Sequence, residues 1–145
     1  MGSLGALAHF DFNQAGAHAY EQAMLTLRQR KQPMAAVKEQ FRRMVFNLLT
    51  RNQDDHVRNI AFLMDKAGRW SLAPAFEVTY SSNPSGSWTA RPQMTLNGKR
   101  VEFTLEDFEV CAKSSLMKRG RDHHRGSAGG RGAVAGICRR GARRR

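Results

Sequence analysis

The chain has 145 residues, with 24 Lys/Arg against 12 Asp/Glu and a formal net charge of +12. That length suits one domain with a modest core. From Lys118 onward ten basic residues face one acid, Asp122, a balance of +9 that leaves +3 for residues 1–117, so the basicity says little about the folded part. Cys111 and Cys138 lack any CxxC or Cys/His spacing, which speaks against a disulfide framework or a zinc module. No apolar run approaches the ~20 residues that span a bilayer, no signal-like start is present, and the expected location is the cytoplasm.

In chain order, residues 2–16 read as Gly/Ala-rich and irregular, without a capping signal. Phe10 and Phe12, flanking Asp11, are expected to pack against material upstream. A helix is predicted over 19–30, with Tyr20, Met24 and Leu27 on one face, and Pro33 separates it from a second at 34–50. There Met34, Val37, Phe41, Met44, Val45, Leu48 and Leu49 recur at three- and four-residue spacing, the mark of a core-facing helix to which no chemistry attaches. Lys38, Arg42 and Arg43 lie on its other side.

A polar loop, 51–56, follows. Residues 59–73 then read as a β-hairpin: Ile60 to Met64, a turn at Asp65-Lys66-Ala67-Gly68, and an alternating return through Trp70 and Leu72. Pro74 ends it. Residues 79–93, rich in Ser, Gly and Pro, read as a long surface loop. Asn97-Gly98 is a tight-turn pair. A last helix is predicted from Thr104 with Asp107 as capping-box acid and Leu105, Phe108 and Ala112 on one face, fading near Leu116. The tail, 118–145, holds too few large apolar residues to build a core, and its composition predicts disorder. The fold class expected is α+β and mostly helical.

The stretch that carries chemistry is Asp54-Asp55-His56-Val57-Arg58-Asn59, with Glu77 just past the hairpin. Phosphoryl transfer needs a carboxylate facing the attacking hydroxyl and oxygen ligands that hold magnesium against the phosphates. Protein kinases place an Asp in a loop, an Asn five residues later and an acid beyond the next hairpin. Asp54, Asn59 and Glu77 have those places, and hard oxygen donors suit magnesium rather than zinc. A polar helix-to-strand turn whose Asp caps backbone donors explains D-x-x-x-x-N equally well. Spacing alone leaves both readings open.

The string RNQDDHVRNIAFLMDKAGRWSLAPAFEVTY at 51–80 resembles the catalytic segment of HipA-family toxins, kinases with a diverged protein-kinase-like fold. The family pattern is N-x-D-x-H-x-x-N, a hairpin, then L-x-P-x-[YF]-D. The resemblance extends to SLGALAHFDFNQAGAHAYEQA before it and to QMTLNGKR and FTLEDF after it, and so from residue 3 to about Arg121. It implies a fragment of a kinase C-terminal lobe over 1–117 that phosphorylates protein Ser/Thr with ATP and Mg2+. It implies Asp54 as catalytic base and Asn59 and Glu77 as metal ligands, with His56, Val57, Arg58, Asn59, Phe76 and Glu77 around the nucleotide. His56 is expected to hold the loop by hydrogen bonds rather than to move protons. Family substrates include an aminoacyl-tRNA synthetase, and the implied partner is a DNA-binding antitoxin.

Three departures imply that activity in this chain alone is impaired or absent. Position 77 is Glu where the family has Asp. No Gly-rich phosphate loop precedes Asp54, and Met1 falls where family members are already mid-domain. Family members also continue with further helices where this chain turns to Gly and Arg, a composition that a GC-rich gene yields out of frame. The alternatives from other classes are a nucleic-acid-binding module acting through the Arg/Gly tail and an inactive regulatory remnant that binds the antitoxin.

Overall fold

Apolar residues at helical spacing form α3 (Met34–Thr50) in the computed structural model, which describes residues 1–115. The tail at 118–145, its expected disorder and the nucleic-acid reading built on it lie outside those residues. Pro33 enters α3 with φ −61, which suits a helix start. Arg51 ends it in the left-handed region at φ 56, its N–H bonded to the Asn47 carbonyl. α2 (Tyr20–Gln29) packs across α3. Tyr20, Met24 and Leu27 of α2 meet Val37 and Met44 of α3 in a core completed by Leu4, Phe62, Met94, Leu96 and Cys111.

The hairpin forms as β2 (Ala61–Met64) and β3 (Trp70–Leu72), paired antiparallel with Phe62 opposite Leu72 and Met64 opposite Trp70. Asp65 closes its turn by accepting the Ala67 and Arg69 backbone N–H groups, both at 2.9 Å, and Gly68 supplies the left-handed residue at φ 78. A third strand joins on the other side of β2. It is β1 (Gly2–Ser3), antiparallel, with Gly2 opposite Phe62. Directly after it comes α1 (Leu4–Ala8).

The N-terminal segment therefore differs from the irregular stretch expected. Ser3 is a capping residue after all, its Oγ accepting the Ala6 N–H at 3.2 Å. Leu4 and Gly5 donate their backbone N–H groups to the carbonyls of Ile60 and Val57. Phe10 stacks on His18 at 4.5 Å between ring centres, and Phe12 meets the His56 edge at 5.8 Å. Both phenylalanines thus find partners within the chain.

Asn97 (φ 50) and Gly98 (φ 74) turn the chain so that Leu96 and Lys99 exchange hydrogen bonds, the two-residue reversal read from the sequence. α4 (Leu105–Ser114) starts at Thr104, whose N–H and hydroxyl both donate to Asp107. Its inward face is only partly the one expected, since Phe108 packs against the core but Leu105 does not. Leu105 is 61% exposed, while Asp107 and Cys111 are buried. Asp107 turns inward because Asn97 Nδ2 (2.8 Å) and Lys99 Nζ (2.9 Å) meet its carboxylate there, and these bonds hold its pKa well below the usual carboxylate range. The result among the described residues is α+β, four helices with a three-stranded antiparallel sheet, and less helical than expected because long irregular segments occupy much of the described chain. Among the described residues, no helix is long and apolar enough to cross a membrane.

Two expectations follow from this packing. A Cβ at residue 98 meets nothing, so Gly98→Ala costs only the left-handed backbone, about 1–2 kcal/mol. A urea midpoint unchanged by the substitution would contradict that. Burial, reinforced by Glu21, pushes the Cys111 thiol up to about 12. Peptide mapping after iodoacetamide should therefore find Cys111 alkylated only once the chain is unfolded.

Candidate active site

The left-handed cap at Arg51 releases a loop whose first residue, Asn52, is buried. Its amide nitrogen donates to Asn47 Oδ1 at 3.1 Å and to the Glu77 carbonyl at 2.8 Å. Its amide oxygen accepts the Ser81 hydroxyl at 2.9 Å, and Ser81 Oγ in turn accepts the Asp54 N–H at 3.0 Å. One buried side chain thus joins the end of α3, the segment after the hairpin and the backbone of Asp54.

Asp54 and Asp55 face different ways. Asp54 Oδ1 accepts the Trp88 indole N–H at 3.0 Å and lies 3.7 Å from His56 Nε2. The Asp54 carbonyl accepts from Asn59 Nδ2 at 2.8 Å, which closes the loop on itself across the five-residue spacing. Asp55 is buried, taking the Tyr20 hydroxyl and the Gln93 backbone N–H at 2.5 Å each. Burial holds the Asp55 carboxyl above its ordinary value despite these donors. Burial, then the nearby Asp55 charge, likewise raise Tyr20.

A cleft of about 310 Å3 opens between α3 and residues 75–78. That is the lower end of the range for small-molecule sites. Asn59, Glu77, His56 and Phe76 line it, and α3 adds Gln40, Arg43 and Asn47. Glu77 sits at φ 53, a left-handed placement that costs a non-glycine residue about 1–2 kcal/mol. Two residues of this cleft each carry a buried polar atom with no hydrogen-bond partner, Gln40 Oε1 and His56 Nδ1.

Of the residues singled out by sequence, Asn59, Glu77, His56 and Phe76 share this cleft, whereas the Asp54 side chain turns toward Trp88. Val57 points into the core and its carbonyl is taken by Gly5. The Arg58 guanidinium lies 4.2 Å over the Phe12 ring. Sequence reasoning missed Asn52, Ser81, Trp88 and Gln93, and it gave Asp55 no role within the stretch it singled out. A signal existed for Asn52, which is the first letter of the N-x-D pattern. Ser81, Trp88 and Gln93 come from a loop whose composition gives no hint of contact.

The donor set is of the kind that holds a hard divalent cation. Asn59 spends its amide nitrogen on the Asp54 carbonyl, which leaves its oxygen as the atom available to a cation, and Glu77 adds a carboxylate on the same cleft. Among the described residues, no cluster of three or more His, Cys, Asp or Glu is arranged to cage a metal. One or two protein oxygens completed by phosphate and water is the habit of magnesium.

The Asp55 shift has a consequence for stability. A carboxyl raised on folding contributes stability that is fully present below the unfolded value, near 4, and lost as pH rises through the folded one. The unfolding free energy of the wild type minus that of Asp55→Asn should accordingly fall as pH is raised from about 4 toward neutrality. Urea titrations at several pH values measure it, and a pH-independent difference would show that the carboxyl is not raised.

No curated protein sequence matches the chain. The family model described as the HipA-like C-terminal domain matches residues 1–128. That match takes in α1 to α4, the hairpin and the Asn52–Asn59 loop, so the chain belongs to the HipA-like C-terminal domain family.

Proposed function

We propose that the described residues form the base-bearing and metal-facing wall of a HipA-like serine/threonine kinase. The observation that carries this reading is Asn52, whose amide ties the Asp54 loop and the Glu77 carbonyl into one unit. Two chain-distant acids are thereby held in a common frame, which phosphoryl transfer requires and a simple polar turn does not.

In this reading Asp54 accepts the proton of a protein Ser or Thr hydroxyl. Asn59 and Glu77 hold magnesium through their side-chain oxygens, and the loop from His56 to Asn59 together with Phe76 borders the nucleotide. Mg·ATP, when bound, supplies the phosphoryl group and the charge that stabilises its transfer. His56 Nε2 stands 3.7 Å from Asp54 Oδ1, beyond hydrogen-bond reach, and the proton is left to Asp54. The extra methylene of Glu77 displaces the metal-binding carboxylate, and misplacement of ~1 Å costs ~100-fold in rate. Activity of this chain alone is accordingly impaired or absent. A DNA-binding antitoxin as partner rests on the family alone.

Paramagnetic Mn2+ added with ATP to isotope-labelled protein tests the metal site. The Asn59 side-chain amide and the Glu77 backbone signal should broaden first, and Asn59→Ala with Glu77→Ala should abolish the effect. First broadening at Asp65 or Glu109 would refute the assignment. Where phosphoryl transfer is measured, Asp54→Asn should lower it ~100-fold or more with the fold intact. Undiminished transfer removes Asp54 from the base role.

A further inference from the structure

Residues 79–93 have no regular secondary structure, yet they are pinned to the catalytic loop at three points. At one end Ser81 Oγ accepts the Asp54 N–H and donates to Asn52, and its own N–H bonds the Arg51 carbonyl. At the other end the Gln93 N–H donates to Asp55 Oδ1, and the Gln93 amide nitrogen donates to the Trp88 carbonyl. Between them the Trp88 indole N–H reaches Asp54 Oδ1 at 3.0 Å. Both ends are thus held by the residues on either side of the Asp54 side chain. A loop anchored in this way is a fixture of the site and not a free connector.

We propose that Trp88 is a positioning residue for Asp54. Its indole N–H fixes the carboxylate through one oxygen, so that the other faces the incoming hydroxyl. The inference rests on the reading of Asp54 as base. A charge-assisted bond from a rigid ring is stronger than a neutral one and has little freedom to wander. His56 Nε2, two residues along the same loop, stands 3.7 Å from the same Oδ1, beyond hydrogen-bond reach, which leaves the indole as the bonded partner of that oxygen. Orientation matters here because a general base works only within hydrogen-bond reach of the proton it takes. Gln93 supports the indole in turn by gripping the Trp88 carbonyl.

The test is NMR on the full chain, which has two tryptophans, Trp70 and Trp88. Three-bond couplings from the backbone to Asp54 Cγ report its χ1. In the wild type they should show a single rotamer. In Trp88→Phe, which keeps a ring and removes the donor, they should collapse to averaged values. A single unaltered Asp54 rotamer in that variant overturns the proposal, because a purely structural Trp88 would be replaced by Phe without moving Asp54. Should Trp88→Phe fail to fold, Asp54→Ala decides instead. The Trp88 indole proton should then move upfield and exchange faster while Trp70 stays put, and an unmoved Trp88 indole sinks the idea. Neither readout needs activity, so failure here leaves the base assignment standing. Phosphoryl transfer that survives Asp54→Asn would remove the base and leave the indole contact as geometry alone.

Discussion

Everything at this site hangs on the side chain of Asn52. A buried primary amide with unmet hydrogen bonds is costly, so such a group persists in a native core only where its partners are supplied. Asn47, Glu77 and Ser81 supply them here, one from α3, one from beyond the hairpin and one from the long loop. Each partner is remote from the others in sequence or belongs to a different element. The amide therefore converts three segments that could drift independently into one rigid frame, and Asp54 and Glu77 inherit their relative placement from it. An Ala here would leave the Ser81 hydroxyl and the Glu77 carbonyl to find other partners. An Asp would repel the carbonyl, and only an amide both donates and accepts at this point.

The second buried polar group, Asp55, secures the frame to the helical core. Its two oxygens take the Tyr20 hydroxyl from α2 and the Gln93 N–H from the far end of the long loop. Neither donor is charged, and burial wins over both, which is why the carboxyl is raised. Adjacent acids in the chain thus do unlike work. Asp55 is spent on structure in a dry setting, while Asp54 stays part-exposed.

Periodicity made most of the fold legible. The bounds of α3, the hairpin with its Gly68 turn, the Asn97-Gly98 reversal and the Thr104 start all followed from local chemistry: helical spacing, left-handed glycines and a capping acid. What escaped was tertiary. β1 and α1 are too short to show a period and exist because Gly2–Ser3 can pair with β2. Leu105 was placed inward by spacing, but Asp107 took the buried side once Asn97 and Lys99 offered it partners. At the site, the five-residue spacing from Asp54 to Asn59 corresponds to a local bond, Asn59 Nδ2 to the Asp54 carbonyl. Trp88 lies 34 positions from Asp54, and no pattern in a Ser/Gly/Pro-rich loop foretells so distant a contact.

Glu at position 77 can be weighed against the same frame. Its backbone is held at φ 53, with its carbonyl gripped by Asn52, so the main chain cannot retreat to absorb the extra methylene. Any adjustment must come from side-chain torsions, and the residue is exposed on the rim of the cleft, where those torsions are unconstrained. Reaching the position of a shorter carboxylate then means freezing one more rotatable bond, an entropic cost that adds to any misplacement of the carboxylate. Under the proposed reading, Glu77 keeps the charge of a metal ligand and gives up preorganisation. In that reading the reach of Glu77 is set by Asn52, whose grip on the Glu77 carbonyl denies the backbone any other way to adapt.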